Sequence, residues 1–504
     1  MVTRAYTVAF EGIEARMVEV QCSLSPGIPS FSIVGLPNKA VSEAKDRVRA
    51  ALGALAIGLP AKRITINLSP ADLPKDGSHY DLPIALSLLS AIGAIEPTEL
   101  DKIVSLGELS LDGRLVPVTG ALPSAMAAAT RELDLICPRD CGSEAAWVGG
   151  TKVLAPDSLL SVVQHFKGRR PLPPAEPKEV NDQVDFLDLQ DVKGQERAKR
   201  ALEIAAAGRH HLLMVGPPGS GKSMLASRMP GILPDMMPEE ALETSMVHSL
   251  AGLLESHGIT RTRPFRAPHH TASMAAIVGG GRGAKPGEIS LAHNGVLFMD
   301  EFPEYARAVL ETLRQPIEEG QVTVARANAH VRYPSRFLLI AAANPCRCGY
   351  MTEADKACGR APICGNEYLG RISGPLLDRF DLRVEIPPVS FSDLDTAPSG
   401  ETSASVKQRI VAARQLQASR YRSFEDVHLN ADAEGKLLDQ VAPLNSEART
   451  YLLKAAEKFG LSARGYHRVL RVARTIADLA EAEHISRDHI AEAVSFRLIG
   501  IERR

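Results

Sequence analysis

Gly216-Pro217-Pro218-Gly219-Ser220-Gly221-Lys222-Ser223 is the stretch of sequence that decides the fold. It follows an apolar run that ends at Val215 and precedes a helical pattern that begins at Met224, so we predict a strand, a phosphate-binding loop and a helix. All eight residues are predicted to surround a nucleotide, because glycines let backbone N–H groups close around phosphates. Lys222 is expected to reach the β- and γ-phosphates, and Ser223 to hold Mg²⁺. The alternative is a glycine-rich turn without a ligand.

The composition limits the class of protein. The 504 residues are too many for one core, and 58 lysines and arginines nearly balance 60 aspartates and glutamates, so any contact with nucleic acid must be local. We find neither an uninterrupted apolar stretch of about 18 residues nor the start of a signal peptide, and we expect a cytoplasmic protein with no membrane partner. Seven cysteines do not resemble a secreted disulfide framework.

The pattern of apolar residues predicts an α/β protein with three domains. We expect a mixed α+β domain at 1–165, a proline-rich linker at 166–187, an αβα core with a parallel sheet at 188–395 and a helical lid at 396–504. The predicted strands are 8–10, 17–22, 63–67, 211–215, 295–299 and 337–343, and the predicted helices are 39–55, 82–92, 197–207, 405–419, 447–459, 463–483 and 487–497.

Two acidic residues end the apolar run that begins at Gly295. Asp300 is expected to complete the Mg²⁺ shell with Ser223, and Glu301 to orient or deprotonate the attacking water. An apolar strand ending in Asp-Glu is only moderately specific alone, but its place some eighty residues after a phosphate loop makes the pattern strong.

Asn344 ends the next apolar run, where it is expected to hydrogen-bond the attacking water or the γ-phosphate. The alternative is an asparagine that terminates the strand as a turn residue before Pro345.

Three segments resemble the magnesium-chelatase-like AAA+ family: 264–273, 286–301 and 371–382. The resemblance implies a homo-hexamer that hydrolyses ATP. It also implies that Arg379 enters a neighbouring subunit's site and that Arg464, rather than Arg468, reports phosphate state from the lid. The alternatives are an ordinary Asp378–Arg379 surface pair and solvated arginines in the lid.

Two phrases in the first domain, 74–82 and 107–120, resemble the proteolytic domain of Lon-type proteases, which implies a Lon-like (ribosomal S5 domain 2-like) fold. Lon needs a serine and a lysine at positions where this chain has His79 and Leu122. Ser78 and Ser124 therefore lack an evident base, and we expect no peptidase activity. A Lon-like domain fits the YifB/ComM branch of the family, whose ComM members are DNA helicases. The branch implies branch migration during natural transformation, with a recombinase as a further partner.

One segment is strongly basic in this nearly neutral chain. Between residues 261 and 287 there is no acid, and the candidate DNA contacts there are Arg261, Arg263, Arg266, His269, His270, Arg282 and Lys285. Such cations would bind the phosphates of single-stranded or branched DNA without sequence preference. A second candidate is a predicted hairpin at 320–332 that carries Arg326, which also has a purely structural interpretation.

Four cysteines follow Asn344 closely. Cys346, Cys348, Cys358 and Cys364 have the spacing C-x-C-x9-C-x5-C, which is tighter at its start than the usual zinc motif. A Cys₄ site for Zn²⁺ and four reduced thiols are both left open.

Three rival functions remain beside the DNA motor. They are a motor subunit that helps insert metal into a porphyrin, a protease or protein-remodelling ATPase, and a non-enzymatic nucleotide switch. The Lon-like domain argues against the first, and the joint presence of Glu301, Asn344 and Arg379 argues against the last.

Overall fold

The computed structural model describes residues 2–178, 185–254, 259–281, 284–326, 329–351, 356–389, 400–424 and 426–497, with backbone only at 325, 326, 329 and 330. The expected fold class is confirmed: a mixed α/β region comes first, a parallel sheet follows, and the last part is helical. Among the described residues, no helix combines the length and apolar character that crossing a bilayer requires.

A seven-stranded mixed sheet organises the first 154 residues. The first two strands, Val2–Glu11 and Glu14–Ser25, form a long hairpin that is longer at both ends than the sequence predicted. The strand order across the sheet is Ser30–Val34, Arg63–Ser69, Glu14–Ser25, Val2–Glu11, Ile103–Ser105, Asp134–Ile136 and Val153–Leu154. The helices of this part are Lys39–Ala54, Asp81–Ala91, Pro97–Leu100, Ala121–Ala129, Arg139–Ala145 and Leu159–Phe166, and a two-stranded ribbon pairs Glu108–Leu109 with Leu115–Val116.

The His79 and Leu122 positions are structural in this fold. His79 is buried and its Nε2 lies 2.9 Å from the Val8 carbonyl oxygen, and burial lowers its pKa to about 4. Leu122 is completely buried in apolar surroundings, and the Ser124 hydroxyl donates to the Gly120 carbonyl at 2.6 Å. Asp81 does not pair with His79. Instead it accepts two hydrogen bonds from the Arg47 guanidinium, at 2.6 and 2.9 Å.

A five-stranded parallel sheet organises the middle of the chain. Its strands, in spatial order, are Phe265–Arg266, Val296–Met299, Leu338–Ala343, Leu212–Val215 and Leu382–Glu385. If these strands are numbered along the chain, their order is 2-3-4-1-5, so the strand before the phosphate loop lies inside the sheet. The three inner strands are buried along their whole length, which explains their uninterrupted apolar sequences.

Short helices and two hairpins surround this sheet. The helices are Glu196–Gly208, Lys222–Ala226, Met229–Ile232, Pro238–Ala251, Met274–Val278, Glu288–Leu291, Arg307–Thr312, Arg314–Glu319, Ile363–Leu369 and Gly374–Leu377. One hairpin pairs Gly279–Gly280 with Lys285–Pro286, and the other pairs Gln321–Arg326 with Ala329–Pro334.

The C-terminal part is helical, with long helices within about four residues of their predicted bounds. The helices are Ser403–Tyr421, Gly435–Val441, Ser446–Phe459, Ala463–Leu479 and Arg487–Ser495. Their apolar faces share one buried core with the helix Glu196–Gly208 and with one face of the parallel sheet. The helical part is therefore packed directly against the element that leads into the phosphate loop.

Candidate functional site

The carboxyl ends of three neighbouring parallel strands form the candidate nucleotide site. The phosphate loop follows Val215, Asp300 and Glu301 follow Met299, and Asn344 follows Ala343. The strands Leu212–Val215 and Val296–Met299 both pair with Leu338–Ala343, so the three sets of polar groups meet at one edge. We call this the catalytic edge. Ligands bind at the carboxyl ends of strands in sheets of this kind.

The phosphate loop has the backbone that a phosphate cradle needs. Gly219 and Gly221 have φ values of 76° and 91°, which favour glycine. A Cβ atom on Gly216 would lie 2.3 Å from the Ile386 carbonyl oxygen, so the next strand's end closes against the loop only at a glycine. Pro217 and Pro218 complete the turn, and the Ser220 side chain is buried within it.

Lys222 is directed into the loop that precedes it. Its ammonium group donates to the carbonyl oxygens of Gly216 at 2.7 Å and Pro217 at 2.9 Å, and to Asn344 Oδ1 at 3.2 Å. Burial lowers the pKa of this ammonium group, while the nearby Asp300 and Glu301 carboxylates act in the opposite sense. A lysine held on carbonyl oxygens is available to exchange them for phosphate oxygens.

Ser223 and Asp300 meet although they are far apart in sequence. The Ser223 hydroxyl donates to Asp300 Oδ2 at 2.6 Å, and the second carboxylate oxygen of Asp300 accepts from the Glu301 backbone N–H at 2.8 Å. A hydroxyl and a carboxylate are the oxygen donors that Mg²⁺ prefers. The donor set therefore fits Mg²⁺, and the glycine cradle beside it fits the phosphates of ATP.

Glu301 is contacted by His270, a residue that the sequence predicts to be a DNA contact. His270 Nδ1 lies 3.2 Å from Glu301 Oε2, and about half of the Glu301 side chain is exposed. His270 also packs edge-on against Tyr305, with ring centroids 6.4 Å apart. The His-His pair after Pro268 was the only available signal for this contact, and sequence spacing could not indicate which histidine faces the catalytic edge.

Arg379 is buried rather than presented on the surface. Its side chain is 6% exposed, forms an ion pair with Glu318, and donates to the Pro375 carbonyl oxygen at 2.5 Å. The expected alternative partner, Asp378, pairs with Arg497 instead. The Glu318 ion pair therefore holds Arg379 within its own chain.

The two lid arginines differ in their surroundings. Arg464 is exposed in the first turn of the helix Ala463–Leu479. Arg468, one turn later, donates to Asp381 Oδ1 at 2.6 Å and to the Arg379 carbonyl oxygen at 2.8 Å. Arg468 therefore joins the helical part to the parallel sheet, whereas Arg464 stands at the helix start in contact with solvent.

The basic segment divides into buried and exposed members. Arg263 is buried, binds the Glu240 carboxylate with both terminal nitrogens and donates to the Pro234 and Asn294 carbonyl oxygens. This guanidinium is committed to the fold and does not form part of a DNA-binding surface. Arg266 forms a two-bond ion pair with Glu288 but remains one-third exposed.

The other members are more accessible. Arg261, His269 and Lys285 are exposed, whereas Arg282 lies outside the described residues. The helix Met274–Val278, which the sequence did not predict, lies between His270 and the hairpin strand Gly279–Gly280.

The two candidate DNA regions are adjacent. The Tyr333 hydroxyl donates to the Ala284 carbonyl oxygen at 2.9 Å, and a Cβ on Gly279 would lie 3.1 Å from Val324. The described strands of the hairpins at 279–286 and 321–334 therefore pack against each other, and we call the surface around these strands the double hairpin. The side chain of Arg326 lies outside the described part of that surface.

The four clustered cysteines also lie close to the catalytic edge, since they follow Asn344 in the chain. Cys346 Sγ is 3.0 Å from Cys348 Sγ, and Cys358 Sγ is 3.4 Å from Cys364 Sγ. The Sγ atoms of Cys346, Cys348 and Cys364 all lie within 4.8 Å of one another.

Comparison with known proteins agrees with this architecture. The family model "Magnesium chelatase, subunit ChlI" matches residues 188–394, "Subunit ChlI of Mg-chelatase" matches 18–140, and "Magnesium chelatase, subunit ChlI C-terminal" matches 400–497. The magnesium-chelatase 38 kDa subunit of Rhodobacter capsulatus is 24% identical over 61% of this chain and 85% of its own length.

Two bacterial relatives match almost the whole chain. The competence protein ComM of Haemophilus influenzae is 45% identical over 98% of this chain and 96% of its own length. The uncharacterized protein YifB of Escherichia coli is also 45% identical, over the same shares of the two chains. The resemblance inferred from the sequence is thereby confirmed, and the chain belongs to the magnesium-chelatase-like AAA+ family that includes ComM and YifB.

Proposed function

We propose that this chain is an ATP-driven DNA motor that works as a homo-hexamer and promotes branch migration of recombination intermediates. Family membership indicates ATPase activity, and the name of the Haemophilus influenzae relative points to competence. The proposal rests on the segment 264–273. In this segment His269 is exposed close in sequence to the basic Arg266, and the next residue, His270, contacts Glu301, the proposed general base. One segment thus links a DNA-binding surface with hydrolysis.

The catalytic edge supports the following division of labour for hydrolysis. Lys222 holds the β- and γ-phosphates, and Ser223 with Asp300 holds the cation. Mg²⁺ bound with ATP neutralises charge that develops on the phosphates. Glu301 accepts a proton from the attacking water, which Asn344 helps to orient from the neighbouring strand. In a hexamer, Arg379 of an adjacent copy is proposed to add positive charge near the γ-phosphate.

The double hairpin supports the proposed contact with single-stranded or branched DNA. Lys285 is exposed on the double hairpin, and the basic segment that leads to it also has an exposed Arg261, an exposed His269 and a one-third exposed Arg266. Cations of this kind bind phosphates without reading bases, so affinity is expected to fall steeply with added salt. Such binding suits a motor that crosses any sequence, and a recombinase that forms the junctions is proposed as a further partner.

The experiment is an ATPase assay with and without single-stranded, duplex and branched DNA. The proposal expects the turnover of ATP to rise most with branched DNA, and the increase to disappear at high salt. A Lys285→Glu substitution should weaken this stimulation and leave the turnover without DNA unchanged. Equal turnover with and without every DNA would contradict the proposal.

Two other functions can be tested in the same preparation. A chelatase-type motor subunit is favoured by the 24% identity to the Rhodobacter capsulatus subunit, and stimulation of ATP turnover by a tetrapyrrole would support it. A peptidase would require other groups than the buried His79 and Leu122, whereas a protein-remodelling ATPase would not use these positions. Casein digestion that a Ser78→Ala substitution abolished would support the peptidase.

A further inference from the structure

The loop between Asn344 and the helix Ile363–Leu369 gathers four of the seven cysteines. Cys346 and Cys364 are buried, and Cys348 and Cys358 are partly buried. The remaining three, Cys22, Cys137 and Cys141, are buried in the first domain and belong to its packing. The four thiols behind the catalytic edge therefore form a separate group, and neither the phosphate loop nor the double hairpin uses them.

The sulfur positions match the donor set of a tetrahedral thiolate site. Around one Zn²⁺ with bonds of about 2.3 Å, neighbouring sulfurs lie about 3.8 Å apart. The Sγ pairs 346/348 and 358/364 are 3.0 and 3.4 Å apart, and the atoms of Cys346, Cys348 and Cys364 lie within 4.8 Å of one another. Three mutually close sulfurs, with the fourth beside Cys364, are soft ligands that favour Zn²⁺ over the oxygen-preferring Mg²⁺ of the catalytic edge.

The backbone around the cysteines is already shaped for such a site. The Gly349 N–H donates to the Cys346 carbonyl oxygen at 3.0 Å, which closes a tight turn around the first pair. Gly349 has a φ of 86°, which favours glycine. The Ala361 N–H donates to the Cys358 carbonyl oxygen at 3.0 Å and forms a second turn beside the other pair.

The loop also contacts the phosphate loop. A Cβ on Gly349 would lie 2.6 Å from two ring atoms of Pro218, so this turn lies directly on the phosphate loop. On its other side, Cys364 belongs to the helix Ile363–Leu369, whose Tyr368 and Leu369 pack in the same core as Leu376 and Phe380. The four cysteines thus lie between the phosphate loop and the helix that leads to Arg379.

We propose that Cys346, Cys348, Cys358 and Cys364 bind one structural Zn²⁺ that fixes the 346–364 loop against the phosphate loop. All four ligand positions are filled by protein, so the ion has no open site for substrate and serves the fold. Metal binding here adds to stability because the ligands converge only in the folded chain. The proposal does not depend on DNA being the substrate.

The first experiment measures metal on the full-length chain, purified under reducing conditions without added metal or chelator. Elemental analysis should find about one Zn²⁺ per chain, because the protein supplies all four ligands of the proposed site. A mercurial reagent that blocks thiols should release that zinc. Cys348→Ser and Cys358→Ser should each lose it. The matched control, Cys141→Ser, removes a buried thiol in the first domain and should retain the ion.

Two results would overturn the zinc site. The first is wild-type protein without zinc in which the four thiols react freely or are joined in disulfides by mass analysis. The second is full zinc content in both Cys348→Ser and Cys358→Ser. Because metal content is counted without ATP or DNA, these outcomes are distinguishable from failure of the proposed motor function.

A second experiment tests the contact with the phosphate loop. Displacing zinc from wild-type protein with the mercurial, and then removing the mercurial with excess free thiol in the presence of a chelator, should weaken ATP binding. Restoring Zn²⁺ should recover it. Unchanged ATP affinity through this cycle would contradict the role assigned to the loop.

Discussion

Glu301 has an unusual backbone conformation for a residue with a side chain. Its φ is 49°, in the left-handed region that non-glycine residues rarely adopt. Residues held in such conformations cluster at functional sites, where the surrounding structure over-determines them. Here His270 fixes one carboxylate oxygen, while the Glu301 backbone N–H binds Asp300. The proposed general base is therefore held by His270, and its backbone in turn holds the proposed metal ligand Asp300.

We predict that His270→Ala lowers the kcat for ATP hydrolysis without DNA by about 10- to 100-fold, because Glu301 loses its positioning contact. The KM for ATP should change little, since His270 does not touch the phosphate loop. The control is His269→Ala, which removes an exposed ring bonded to Thr271 rather than to Glu301. That change should preserve kcat without DNA and weaken DNA binding. Identical effects of the two substitutions would contradict this assignment.

His79 makes the stability of the chain depend on acidity. Burial lowers its pKa from 6.5 to about 4, so the folded state keeps the ring neutral where the unfolded state binds a proton. Stability should therefore be fully present above about pH 6.5 and be lost as the pH falls toward about 4, by up to about 3 kcal/mol. Urea unfolding across this range should show a smaller loss in His79→Gln than in wild type. The same dependence of the free energy of unfolding on pH in both proteins would contradict this role of His79.

At the scale of elements, one tight turn joins the first domain to the double hairpin. Gly12 connects the strands Val2–Glu11 and Glu14–Ser25, and a Cβ there would lie 2.3 Å from the Arg332 carbonyl oxygen. Phe10, at the same end of the hairpin, packs against the core that holds Val324 and Val331. The first domain thus supports the surface that we propose for DNA.

We predict that Gly12→Ala destabilises the chain by about 2 to 4 kcal/mol, because the methyl group strains the backbone and clashes with Arg332. Gly93→Ala is the matched control. Gly93 has a similar φ, 77° against 67°, but a methyl group on it would have no other atom within 4 Å. Urea unfolding should show the larger loss for Gly12→Ala. Equal losses would mean that the close approach of Gly12 to Arg332 contributes nothing to the free energy of unfolding.

Sequence periodicity was sufficient for the long helices and the buried strands, because their patterns are local. The helix Ala463–Leu479 begins at its predicted residue, and Arg487–Ser495 does as well. By contrast, Phe265–Arg266 is too short to show a period and becomes a strand only by pairing with Val296–Met299. The contact between His270 and Glu301 depends on long-range packing that no spacing in the chain encodes, whereas the four cysteines are close in sequence and their spacing indicates a common site.

The site residues follow the same division. The phosphate-loop motif and the polar residues that end the apolar runs indicate a common site for Lys222, Ser223, Asp300 and Asn344, and the structure joins them in pairs, Lys222 to Asn344 and Ser223 to Asp300. Charge counting could not separate the buried Arg263 from the exposed Lys285, because the partner Glu240 comes from a distant helix. Pairing of distant charges decides which cations remain available to a ligand.

At the scale of the whole molecule, Arg379 is held by Glu318 of its own chain rather than by its own catalytic edge. We predict that mixing Arg379→Ala protein with Glu301→Gln protein restores ATP hydrolysis that neither variant shows alone. In mixed rings, some sites combine an intact Glu301 with an intact arginine from the next copy. The rate per chain should also fall on dilution. A mixture as inactive as its components would show that Arg379 acts only within its own fold.

The most direct test of the proposed motor follows junction migration on three- and four-strand DNA with ATP. We predict that wild-type protein migrates the junction. Lys222→Ala should not, because its loop loses the ammonium group that is proposed to bind phosphate. Glu301→Gln should bind ATP and DNA but fail to move the junction. Two results would contradict the proposed motor function. One is migration by Lys222→Ala at the wild-type rate, and the other is no migration by a wild-type protein that hydrolyses ATP and binds the junction.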